Sequence, residues 1–250
     1  MKVSEYIRQA WASVKEQPPK QRWEYFWEYY KFPAIAVVLV IVLAIQGVIS
    51  LVNTKDTVLT GVTLNCKLGV KAEDFWDGFY EYAGIDSKES EAAVYTDINL
   101  LTGQSKNNAD AIQRIMAGIA IHDMDFIVGK DEAFRMCAYS TGGMLADLRD
   151  FLDEATLAKL SDRIYYIDGA VLEEINKPVG EQVEPELLTY PDPHKPEAMK
   201  DPIPVGINIS GCEAFVKGYY LSGATVYWGI VPNTIRADLV LQMLTYLLAQ

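Results

Sequence analysis

Twenty consecutive residues, Pro33 to Val52, carry no charge, and only Gln46 and Ser50 among them are polar. As a helix this run rises about 30 Å, the thickness of a bilayer's hydrocarbon core. The pattern therefore predicts a transmembrane helix over 33–52. Before it, Val3, Ile7, Ala10, Trp11 and Val14 share one helical face, so residues 3–14 predict an amphipathic helix that Pro18-Pro19 ends. Beyond a short link, β-branched and apolar runs predict strands over Thr57–Asn65, Ala92–Ile98, Asp125–Gly129, Arg163–Ile167, Val205–Ser210 and Ala224–Val231. Helical spacing predicts helices over Lys71–Ala83, Asn107–Ile121, Asp131–Tyr139 and Arg236–Ala249, with helical turns over Met144–Leu152 and Ala155–Leu160. Gly84 and Gly142-Gly143 act as stops.

Strands alternating with helices imply an α/β body over 55–250, with a mixed, mainly parallel sheet and helices on both faces. Residues 177–204 break the pattern. Seven of the eleven prolines fall there, among Glu181, Glu184, Glu186 and Asp192. That composition predicts an extended excursion and not a packed element.

Charge orients the chain. Six basic residues precede the span, and only Lys55, Lys67 and Lys71 follow it closely. The bias predicts a cytoplasmic head, residues 1–32, and an extracytoplasmic body. Seven of the ten residues from Trp23 to Phe32 are aromatic, the composition of an interfacial belt. A cleaved signal peptide has a shorter head and a shorter apolar core. The expected form is thus an uncleaved signal-anchor in the cell membrane. The chain carries a net charge of −12, and its head carries six basic and four acidic residues, which leaves −14 beyond residue 32. Such a body argues against nucleic acid and anionic lipid as partners.

Candidate chemistry is sparse. Cys66, Cys137 and Cys212 form no CxxC pair, which excludes a zinc knuckle or a thioredoxin-like site. No Walker loop, dinucleotide fingerprint or Gly-x-Ser-x-Gly elbow is present. The reading is non-catalytic, with no cofactor and no metal. His122-Asp123-x-Asp125 is the densest polar cluster, and His194 sits in a proline-rich loop. Both suit solvated turns better than a metal centre, which needs three or four convergent ligands. Ligands of open α/β sheets bind outside the carboxyl ends of the strands. That rule points to Cys66–Leu68, Asp97–Asn99 and Lys130–Glu132. Ser140-Thr141-Gly142-Gly143, ahead of the expected turns at 144–152, offers backbone N–H groups to an anion. Asp131 and Glu132 favour the dipole of the helix they open. Trp76 and Trp228 are candidates for stacking on a sugar.

The text from Asp123 to Leu160 resembles a family. Asp-Met-Asp-Phe-Ile-Val-Gly-Lys-Asp-Glu-Ala-Phe, then Ala138-Tyr139, then Gly143-Met-Leu-Ala-Asp-Leu148, is similar to the first lobe of extracellular solute-binding proteins, the clamshell receptors of ABC importers. Val226 to Leu248 resembles their closing strand and helix. The chain also looks like small single-span proteins of Gram-positive bacteria with a Tyr-Tyr-Lys belt. The first resemblance implies a periplasmic-binding-protein-like lobe whose polar turn after the third strand, here Asp131 and Glu132, contacts ligand. Only residues 168–204 are left for a second lobe, so one lobe with a reduced or lost partner lobe is implied. The expected ligand set is Asp131, Glu132, Asp97, Ser140 and Thr141. The expected partners are membrane lipid through 33–52, a small solute or saccharide, and a protein of the cell envelope. The leading expectation is a recognition domain. The alternative is a structural or assembly module that binds another envelope protein.

Overall fold

The computed structural model describes the backbone of residues 19–52, 55–102, 105–178, 180–183 and 187–250. The helix expected over 3–14 lies outside the described residues. Two compact units divide the chain between Thr54 and Lys55.

The first unit contains helix α1, Pro19–Val52, which runs through Pro33 without ending. Between Ile35 and Ile45 its large apolar side chains are all exposed. They surround the helix and do not form a stripe. Among the described residues no helix is long and apolar enough to cross a membrane. The side chains of 48–52, the end of the apolar run, lie outside that description.

The second unit contains strands β1 (Asp56–Thr63), β2 (Ser90–Tyr95), β3 (Phe126–Lys130), β4 (Ile164–Asp168), β5 (Pro202–Asn208) and β6 (Val226–Ile230). Its helices are α2 (Ala72–Ala83), α3 (Ser105–Ala120), α4 (Asp131–Ala138), α5 (Glu154–Lys159), α6 (Gly169–Ile175), α7 (Glu213–Gly218) and α8 (Ala237–Ala249). The strands form one mixed sheet in the order β2-β1-β3-β6-β5-β4.

The sheet is not mainly parallel. β1 is parallel to β2 and to β3, whereas β3–β6, β5–β6 and β4–β5 are antiparallel. The causes are the edge strand β4, which runs against β5, and the last strand. β6 returns to the middle of the sheet, between β3 and β5, and runs against both. Helices cover both faces. Period-two alternation sends Phe126 and Val128 into one core, with Phe75 and Phe79 of α2, Phe215 of α7 and Leu244 of α8. Ile127 points into the other, with Ile115 of α3, Phe134 and Cys137 of α4, and Val171 of α6. Gly61 of β1 lies under the Phe126 ring, where an added Cβ would stand 2.2 Å from a ring carbon.

Three other expectations change. Met144–Leu152 holds only a 3-10 turn at Leu148–Asp150, capped by the Asp147 carboxylate on the Arg149 N–H. Two short helices, α6 and α7, escape the apolar periodicity because each is barely two turns long. The excursion is partly packed. Pro193 O accepts from Tyr166 N at 2.9 Å, Met199 is buried, and the Asp168 carboxylate accepts from the N–H groups of Lys200 and Asp201.

Candidate functional site: a groove between two helices

Helix α4 follows β3 without a connecting loop, and its sequence DEAFRMCA sets two sides apart. Ala133, Phe134, Cys137 and Ala138 are buried against the sheet. Arg135 and Met136 face away from it, towards α3. There Asn108, Ala109, Ile112, Gln113 and Met116 form the opposite wall of a groove of about 750 Å³. Tyr139, Ser140 and Thr141 line it at the end of α4, and Tyr190 lines it from the excursion.

Tyr190 shapes this rim. Its ring meets Tyr139 edge to face at 4.8 Å between centroids. The guanidinium carbon of Arg135 lies 5.5 Å from the centre of the same ring. Tyr139 is fixed in turn, because its hydroxyl accepts from Asp168 N at 2.9 Å. Burial, ahead of the nearby Asp168 carboxylate, pushes the Tyr139 phenol above its usual range. Near the other end of the groove, Asn108 clasps Leu101 through both backbone groups, its Oδ1 accepting from Leu101 N and its Nδ2 donating to Leu101 O. Among the described residues no acidic side chain lines the groove, and Arg135 is the one charged residue that does. Among the described residues no carboxylate pairs with Arg135.

The five residues expected to hold a ligand are divided by the fold. Ser140 and Thr141 line the groove; Asp131, Glu132 and Asp97 do not. Asp97 is exposed and ion-paired with Arg114 at 2.6 Å, which holds its carboxyl below the ordinary value. Glu132 accepts from the Thr102 hydroxyl. Asp131 stands at the carboxyl end of β3, near the phenols of Tyr165 and Tyr227. Burial first, and the Asp131 charge second, push Tyr227 up to about 12. His194 Nε2 lies 2.8 Å from the Tyr227 hydroxyl in the same cluster.

The anion cradle expected at Ser140–Gly143 is not available. The turn follows α4 and opens no helix, and three of its four N–H groups are used within the chain. Ser140 N donates to Cys137 O, Gly143 N to Ser140 O, and Gly142 N to the Asn176 carboxamide. The Ser140 hydroxyl also donates to Cys137 O. Trp76 and Trp228 are buried, and Trp76 Nε1 donates to Tyr219 Oη at 2.7 Å. Neither indole offers a face to a sugar.

The His122-Asp123-x-Asp125 cluster is structural. The Asp125 side chain has no solvent exposure. It accepts from Thr60 N, from the Thr234 hydroxyl and from Arg236 Nη1 at 2.7, 2.6 and 2.9 Å. It joins β1, β3 and the lead-in to α8. Among the described residues no three His, Cys, Asp or Glu side chains converge on a metal site.

The sequence carried only part of the groove's signal. Ile112 and Met116 stand out there as one apolar face of a helix. The cation–ring pair Arg135–Tyr190, 55 positions apart in sequence, leaves no local trace. No family model, no curated protein and no solved structure matches the chain.

Proposed function

We propose that this chain is a membrane-tethered, non-catalytic recognition protein whose extracytoplasmic body binds a segment of a partner protein of the cell envelope. The tether is the apolar run of α1, with the head on the cytoplasmic side. A helix apolar on all sides suits a lipid environment, and its exposed side chains from Ile35 to Ile45 support that reading. The bias of basic residues towards 1–32 supports the orientation.

The groove is the observation that carries the function. Its walls include exposed residues, among them Gln113, Arg135 and Thr141, so it does not enclose a small molecule. Small-ligand sites bury most of the ligand's surface. A polypeptide segment needs only one face covered, as when an amphipathic helix lies in an apolar groove. Met116 and Met136 suit this use, since unbranched thioether side chains repack around varied partners. Within the solute-receptor resemblance, a small solute or saccharide at the strand ends is the second reading. It is favoured by Asp131 beside the Tyr165–Tyr227–His194 cluster.

Selection of a displayed random peptide library of about 12 residues, enough for three helical turns, on the full chain in lipid nanodiscs tests the reading. Peptides that bind the natural chain and lose binding to Met116→Glu are expected. Enrichment that ignores Met116→Glu, or no enrichment, contradicts it.

A further inference from the structure

We infer that Arg135 makes the groove selective for a partner segment that carries an Asp or Glu side chain among its apolar residues. The inference rests on the groove being a protein-binding surface, as proposed above.

The charge pattern comes first. The chain beyond residue 32 has a net charge of −14, yet among the described residues the groove is lined by one cation and no acidic side chain. Against that background the groove is the local exception. Screening confines the repulsion of distant carboxylates to about 8 Å at physiological salt, so the nearest charge decides what an incoming segment meets.

The geometry comes second. The guanidinium carbon of Arg135 lies over the Tyr190 ring, 5.5 Å from its centre. A contact between a cation and a ring face occupies no oxygen acceptor, so it leaves guanidinium N–H donors for a planar acceptor. Among the described residues none of those donors meets a carboxylate. Because Tyr190 is itself packed on Tyr139, the cation is positioned before any partner arrives. A carboxylate meets that fork through two parallel N–H···O bonds.

The surroundings favour a side-chain carboxylate over a chain terminus. Terminal carboxylates are captured by arrays of backbone N–H groups. The groove instead receives the carboxyl end of α4, where the N–H groups of Ser140, Gly142 and Gly143 are already engaged.

The test uses the full chain and the peptides selected from the random library, with amidated C-termini. Selected peptides are expected to share an acidic position flanked by apolar ones. Exchanging that residue for its amide should weaken binding about tenfold, as for a partly exposed charged hydrogen bond. Arg135→Gln should weaken the acidic peptide equally, and the two changes together should cost no more than either alone. Arg135→Lys, which keeps the charge and loses the planar fork, should recover only part of the affinity. Arg135→Gln without effect on peptides that still depend on Met116 would overturn this inference and leave the proposed function standing. Binding that ignores Met116→Glu, or no enriched peptide at all, would overturn both.

Discussion

At the scale of single residues, the ion pair between the buried Asp125 and the part-exposed Arg236 serves architecture. Asp125, at the entry to β3, holds one donor from β1 and two from the lead-in to α8. Removing its charge leaves Arg236 beside a neutral acceptor and loosens all three. Because the Arg236 side chain is 24% exposed, water relieves part of the loss. Asp125→Asn should cost about 2–3 kcal/mol and lower the melting temperature by about 5–10 °C in a thermal melt. A shift below about 2 °C would remove the pair from the stabilising framework. The same region shows what a sequence conceals. His122-Asp123-x-Asp125 reads as a solvated turn because acidic clusters usually are. Of its polar residues only Asp125 is buried, and its partners Thr234 and Arg236 are more than a hundred positions away.

At the scale of elements, the long periodic helices and the apolar strands were legible within a few residues. Their pattern is a direct record of one face turned to a core, as with Phe75 and Phe79 on α2. Strand direction was not legible, since alternation is the same in parallel and antiparallel pairings. Nor was the packing of the excursion. Proline composition marks where regular structure stops, but it does not show that Pro193 pairs with β4 or that Tyr190 seats on Tyr139. The excursion should therefore behave as two parts. Around 180–183 the contacts are exposed side-chain bonds to the end of α6, such as Gln182 to Ile175 O. Replacing 180–186 with a short flexible link should leave the melt within about 2 °C. Removing 188–194 should broaden or abolish the cooperative transition. Equal tolerance of both deletions, read by near-ultraviolet circular dichroism against temperature, would refute this division.

At the scale of the whole molecule, burial of many weak acids sets the pH range of the fold. Burial pushes the thiols of Cys66 and Cys137 from 9.0 up to about 11 and about 12, and raises that of Cys212. It raises the phenols of Tyr80, Tyr139 and Tyr246 above 10.0, and that of Tyr227 to about 12. The unfolded chain ionises these groups from about pH 9 upwards, while the folded chain keeps their protons. Stability from this source is complete below about pH 9 and is lost as pH rises towards about 12. The urea midpoint should hold between about pH 7 and 8.5 and fall steeply above about pH 9.5. A midpoint unchanged at about pH 10.5 would contradict the burial of these groups.

The candidate site was the least legible feature. Ser140 and Thr141 belong to the groove as lining near the end of α4 and not as an anion cradle. Asp131 stands apart, with the Tyr165–Tyr227 cluster. The groove is made by side chains of α3, α4 and the excursion, whose meeting is a property of the fold and not of any motif.

Hydrogen–deuterium exchange on the full chain in nanodiscs, with and without a selected peptide, tests the central claim most directly. The proposed function predicts slowed exchange in α3 from Asn108 to Met116 and in α4 and its turn from Arg135 to Thr141. Protection at the strand ends around Asp131 and His194, with α3 unchanged, would contradict it and favour a ligand site there.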